Sequence, residues 1–196
     1  VTSGVIQDVY GNSVSNGTLI TVATDLGTIT TADVSGGDPG IQVATVSGVI
    51  SFGVQSGILV GTANITAASV QGSASGNTQI TFLPGLPSGT ITLTPTPASI
   101  VADGTSVSTV TSGVITDVNG NTVSNGTLIT VATDLGTITT ADVSGAEPGI
   151  QVAAVGGVIS YVVRSGTVSG IANVTAASIQ GSASGNTQIT FLPGLP

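Results

Sequence analysis

The sequence predicts an all-β protein of two successive sandwiches, and three observations carry that prediction. Apolar and polar residues alternate with period two in short runs, the pattern of strands that bury one face. Turn residues punctuate these runs about every ten residues, the spacing of a sandwich. The chain also repeats itself at an offset of 109: VSNGTLITVATDLGTITTADVSG at 14–36 returns letter for letter at 123–145.

The repeat extends well beyond that identical run. Of the 87 positions that 1–87 shares with 110–196, only 16 differ. The exchanges are mild, as in Phe52 against Tyr161, Ile65 against Val174 and Asp38 against Glu147. A period of this length is long enough to be a domain with its own core.

Taken in order, the strand signals begin with Ile20, Val22 and Leu26 on one side of an alternating run. Ile50, Phe52 and Val54 follow, then Ala63, Ile65 and Ala67, then Ile80 and Phe82; each run recurs in the second copy. Between them lie Gly11-Asn12, Asn16-Gly17, Asp38-Pro39-Gly40 and the stretch from Gly72 to Gly76, all read as turns. No stretch sustains a 3.6-residue period, and the abundant Thr, Val and Gly disfavour helix. About seven strands per repeat are expected.

Residues 88–109 join the copies. Thr90 to Thr94 alternates with Ile91 and Leu93 on one face, and Pro95 and Pro97 then interrupt the ladder, as at an edge strand or a switch between sheets. Ala98 to Ala102 then resumes the strand before the Asp103-Gly104 turn. The domain reading is therefore 1–87, a repeat lacking its first strand, and 88–196, a complete repeat whose residues 88–97 form a short proline-containing joint and first strand. The first copy is expected to show an open edge, a liability that proteins normally cover. Ile91, Leu93 and Ile100 are the candidate strand-complementation residues, and a neighbouring repeat or another molecule is the expected donor.

Composition narrows the function. The chain has no Cys, His or Lys, and Arg164 is its only base against nine carboxylates, for a net charge of −8. One cation cannot neutralise phosphates, so nucleic acid and anionic membrane are poor partners. No apolar run approaches the roughly 18 residues that span a bilayer. Without His, Cys or Lys, the usual bases and nucleophiles are missing, and no catalytic residue or cofactor is expected.

The order of motifs from Ser99 to Phe191 resembles the bacterial immunoglobulin-like repeat of invasin and intimin surface proteins. It reads Asp103-Gly104, DVNGNTV at 117–123, NGTLITV at 125–131, Gly136-Thr137-Ile138 and ANVTA at 172–176. The first copy matches from Asp8 onward. The resemblance implies tandem immunoglobulin-like β-sandwiches on a bacterial outer surface, with no activity of their own. No part of the chain resembles a lectin-like tip.

One set of carboxylates remains for sharper chemistry. Asp33 with Asp38, and their copies Asp142 with Glu147, are candidate calcium ligands, since hard cations take loop carboxylates and carbonyls. Their spacing matches no EF-hand, and solvated turn residues are the competing explanation. Asp8 and Asp117 are read as turn residues bonded to their own backbone. The expectation is a non-enzymatic extracellular structural repeat, a stalk, spacer or filament block, partnered by its neighbouring repeats or by other copies. The alternative is an adhesin module binding carbohydrate or host protein.

Overall fold

The computed structural model describes residues 1–194 and divides them into two compact units, 1–83 and from Pro84 onward. The all-β expectation holds: among the described residues there is no helix.

In the first unit, β1 (Leu19–Thr24), β2 (Thr28–Ile29), β3 (Ile41–Ala44), β4 (Val54–Gln55), β5 (Gly61–Ser69) and β6 (Ser75–Phe82) form the ladders. One sheet runs β3-β1-β5-β6, and β2 pairs with β4 in the other. Alternation does what the sequence predicts in β1, where Ile20 and Val22 are buried and Thr21 between them is less so. Ala63 and Ile65 of β5 close the same core with Ile50 and Phe52.

The second unit holds β7 (Pro87–Ser88), β8 (Leu93–Thr96), β9 (Ser99–Val101), β10 (Val107–Ser112), β11 (Thr116–Asp117) and β12 (Leu128–Thr133). It continues with β13 (Thr137–Ile138), β14 (Ile150–Ala153), β15 (Ser160–Arg164), β16 (Gly170–Ser178) and β17 (Ser184–Leu192). Its sheets run β14-β12-β16-β17-β9 and β13-β15-β10-β8, with β7 paired to β11. The register repeats that of the first unit: Ile20 faces Val43 in one, Ile129 faces Val152 in the other.

These segments exceed the expected seven for two reasons. Residues 88–101 do not form one first strand but two. β8 pairs antiparallel with β10 in one sheet, and after Pro95 and a cis Thr96–Pro97 bond the chain crosses over. β9 then pairs parallel with β17 in the other sheet. Both are edge strands, where a missing proline N–H interrupts no inner ladder. The second reason is the two-residue β7–β11 ladder, too short to register as a period in sequence. It also moves the division to 83/84 rather than 87/88. Pro87 lies opposite Asp117, and the Gly85 N–H donates to the Asp117 carboxylate at 2.8 Å.

Arg164 ends β15, an inner strand flanked by β10 and β13, where it lies opposite both Val107 and Thr137. It is the chain's single trypsin site. A protease needs that segment as an unpaired extended chain, so cleavage must follow opening of the second unit. Trypsin is expected to leave the native chain whole at room temperature and to cut it once above the melting point of the second unit. Rapid cleavage of the native chain, read on a gel, would contradict this placement.

Candidate functional site

The carboxylates singled out for calcium lie in matching exposed turns. Asp33 Oδ1 accepts the N–H of Ser35 at 3.1 Å and of Gln42 at 3.0 Å, and Asp142 does the same with Ser144 and Gln151. Asp38 and Glu147 lie exposed in the same turns. Among the described residues no three His, Cys, Asp or Glu side chains gather in a group that could hold a metal.

The two DVxGN turns differ in their surroundings. Asp8 accepts the N–H of Tyr10 and of Asn12, each at 2.9 Å, in an exposed loop. Asp117 makes the same bonds to Asn119 and Asn121, takes the Asn121 side-chain amide at 2.9 Å, and adds Gly85. It is 4% exposed. The Asn121 side-chain bond, aided by the N–H groups of Gly85, Asn121 and Asn119, holds its pKa down at about 2 against burial. Asp103 is also depressed, by the N–H groups of Ser106 and Thr105 and the Ser106 hydroxyl.

A folded pKa below the ordinary 3.8 means that Asp117 stabilises the fold above about pH 4 and loses that effect as pH falls toward 2. Asp117→Asn is therefore expected to flatten the acid dependence of the second unit's melting temperature over that window. An unchanged acid slope would show that the ionised Asp117 carboxylate does not stabilise the second unit.

The largest difference between the copies surrounds residues 88–101. In the second unit Ile91 is 2% exposed, Leu93 7% and Ile100 6%, all within one core with Ile189 and Phe191. Ile91 N–H donates to Ser184 O at 2.8 Å, Thr190 N–H to Ala98 O at 2.9 Å, and Ala102 N–H to Leu192 O at 2.7 Å. β17 thus has its outer edge satisfied. In the first unit the identical segment β6 has no strand on that edge among the described residues. Ile80 and Phe82 are only partly buried there, and Ala74 is exposed where Ala183 is buried.

The uncovered ground is a pair of adjoining clefts of about 320 and 310 Å³. They are lined by the chain from Val1 to Gln7 on one side and by Ala74 to Thr78 on the other, with Ile50, Phe52 and Ile65 at the bottom. A glycine marks the difference in one atom. An added Cβ at Gly185 would run into the backbone of Ile91, whereas at Gly76 it would meet nothing within 4 Å. Sequence reasoning placed Gly76 at the end of a turn. It sits inside β6, opposite Ala67, and a glycine within a strand is the available signal for close backbone approach.

A second set of polar contacts also escaped the sequence. Asp25 accepts the N–H and the side-chain amide of Asn64, at 2.7 and 2.6 Å, and Asn64 Oδ1 accepts from the Gln79 side-chain amide at 2.7 Å. Asp134, Asn173 and Gln188 repeat the set. Asn64 and Asn173 are thus each bonded to a carboxylate.

No protein-family model matches the chain, and comparison with curated proteins gives no match. Solved structures do match. The structure of InvD from Yersinia pseudotuberculosis aligns with a TM-score of 0.59 and 23% identity, over 97% of this chain and 51% of that one. The structure of invasin, described as a bacterial integrin-binding protein, aligns at 0.50 and 20% identity, over 97% of this chain and 35% of that one. The chain therefore spans about a third to a half of the length of these structures. The fold is that of the immunoglobulin-like sandwiches found in invasin-type proteins.

Proposed function

We propose that the chain is a structural segment of an extracellular bacterial surface protein, a run of sandwiches that acts as a spacer or filament block rather than as a catalyst. The observation that carries the reading is repetition at two levels. The sequence recurs with 16 changes in 87 positions, and the ladders recur in the same register. Copies held this alike serve length and stiffness better than recognition, because separate binding sites tend to diverge. The lack of His, Lys and Cys, and carboxylates tied into turns, fit a chain with no reaction to perform.

Arrays of two, four and six repeats, imaged singly by electron or atomic-force microscopy, are expected to lengthen by a constant step, on the order of 30–40 Å from a strand rise of about 3.3 Å per residue. Collapsed particles whose length does not scale with repeat number would overturn the spacer reading.

One feature favours the alternative, a module that binds carbohydrate or host protein. Val9 and Tyr10 stand 88% and 86% exposed at the tip of the first DVxGN turn, and the second copy has Asn119 in place of the tyrosine. Saturable binding on a glycan array, lost in Tyr10→Asn, would support that reading; no binding at any glycan would count against it.

A further inference from the structure

We infer that the second unit has a further function, to resist pulling along the chain, which makes the segment a tether under tension and not only a spacer. The inference deepens the spacer reading and takes its biological use from it. Two facts carry it: the stretch by which the chain enters this sandwich lies beside its last strand, and the two run in the same direction. β9 pairs parallel with β17 in the register Ser99–Thr190, Ile100–Phe191 and Val101–Leu192. Thr90 and Ser184 form a further parallel bridge upstream.

The chain enters this unit at Pro84, and its last strand ends at Leu192. The entering stretch is bonded to that strand from one end to the other. At the near end Pro87 O accepts the N–H of Ser182 at 2.9 Å, and Gly89 O accepts that of Ser184 at 3.1 Å. Ile91 N–H donates to Ser184 O and Thr190 N–H to Ala98 O. At the far end Ala102 N–H donates to Leu192 O at 2.7 Å. Tension draws 84–102 towards its N-terminal end and 182–192 towards its C-terminal end. Parallel strands drawn this way slide against each other, and bonds spaced evenly along them share the pull. Antiparallel strands in the same places would instead peel apart one bond at a time.

Three further features hold the entering stretch. It bonds to both sheets, through β8 to β10 and through β9 to β17, so neither sheet can release it alone. Its Ile91, Leu93 and Ile100 are buried in the core, which keeps water from the inner side of these bonds. The backbone of Ile91 also sits so close to Gly185 that an added Cβ would run into it. Upstream of all of these, the Asp117 carboxylate holds the Gly85 N–H.

The chain has no cysteine, so handles for single-molecule pulling can be placed by substitution alone. One pair, Leu83→Cys with Gly194→Cys, pulls along the parallel strands. A second pair, Leu86→Cys with Gln180→Cys, pulls across them at one end, since both residues line the same cleft. Both pairs, placed in the whole 196-residue chain, leave the first unit outside the path of the force. Unfolding of the second unit is recognised by the chain it releases, at about 3.3–3.6 Å per residue. At equal loading rate the first geometry is expected to need at least about twice the force of the second, because the rate of unfolding along each path sets the force. Ala102→Pro removes the N–H that Leu192 O accepts, and should lower the force along the strands with little change across them. Should Ala102→Pro misfold, the comparison of the two geometries decides the matter alone. Equal forces in the two geometries, or a greater force across the strands, would overturn the inference. Either result would leave the spacer reading standing, because that depends on length growing with repeat number.

Discussion

Gly185→Ala is expected to disrupt the second unit severely, while Gly76→Ala leaves the first unit intact. The two glycines occupy the same place in identical sequence, SGNTQITF, so only surroundings differ. At Gly185 the new methyl would run into the Ile91 backbone, which cannot turn aside as a side chain can. Either β8 leaves the core, taking Ile91 and Leu93 with it, or β17 shifts against β16. Overpacking in a well-filled core costs about 1–3 kcal/mol, and a clash with backbone belongs at or above the top of that range. At Gly76 the methyl enters open space, and alanine is favoured over glycine in a strand by roughly 0.5–1 kcal/mol. Denaturant midpoints of the two variants check this. Equal losses would mean that the groove of the first unit is not open.

Thermal unfolding is expected in two steps, the first unit melting below the second. Ile189 and Phe191 are 0% and 1% exposed, and Ile91, Leu93 and Ile100 join their core. The first unit has no counterpart to those three, and its Ile80 and Phe82 remain partly exposed. Each fully buried aliphatic side chain is worth about 1.5–3 kcal/mol. A matched pair of substitutions assigns the steps. Phe191→Ala removes a fully buried ring, at a cost of about 3–5 kcal/mol, and should lower the upper transition by at least ~10 °C. Phe82→Ala removes a ring already in partial contact with water, so it should lower the lower transition by less. Calorimetry that shows a single transition, or equal shifts from the two variants, would refute the asymmetry.

Much of this architecture was legible in the sequence, and the reasons are local. Runs such as LITVAT alternate because one face is buried, and that alternation survives in the burial of Ile20 and Val22. Pro95 and Pro97 announced an interrupted ladder, since proline cannot donate to an inner strand; the crossing from β8 to β9 is that interruption. What stayed hidden depends on partners distant in sequence. Gly76 reads as part of a glycine- and serine-rich turn, and only the strand passing over Gly185 explains why glycine stands there. Asp8 and Asp117 sit in nearly identical strings, yet only Asp117 holds a distant glycine, Gly85. The loop carboxylates considered for calcium sit in turns where Asp33 and Asp142 bind backbone N–H groups, a use that the string DVSG itself suggests.

The two units differ most in one respect, a covered edge on β17 and a bare edge on β6. Thr190 and Thr81 report it directly, because both lie in Ile-Thr-Phe and share the same intrinsic exchange rate. Thr190 N–H donates to Ala98 O, and Thr81 occupies the corresponding place on an edge without a partner strand. Amide hydrogen exchange followed by NMR is predicted to show Thr190 protected until the second unit unfolds and Thr81 exchanging near its free rate. Equal protection at the two threonines would contradict the account.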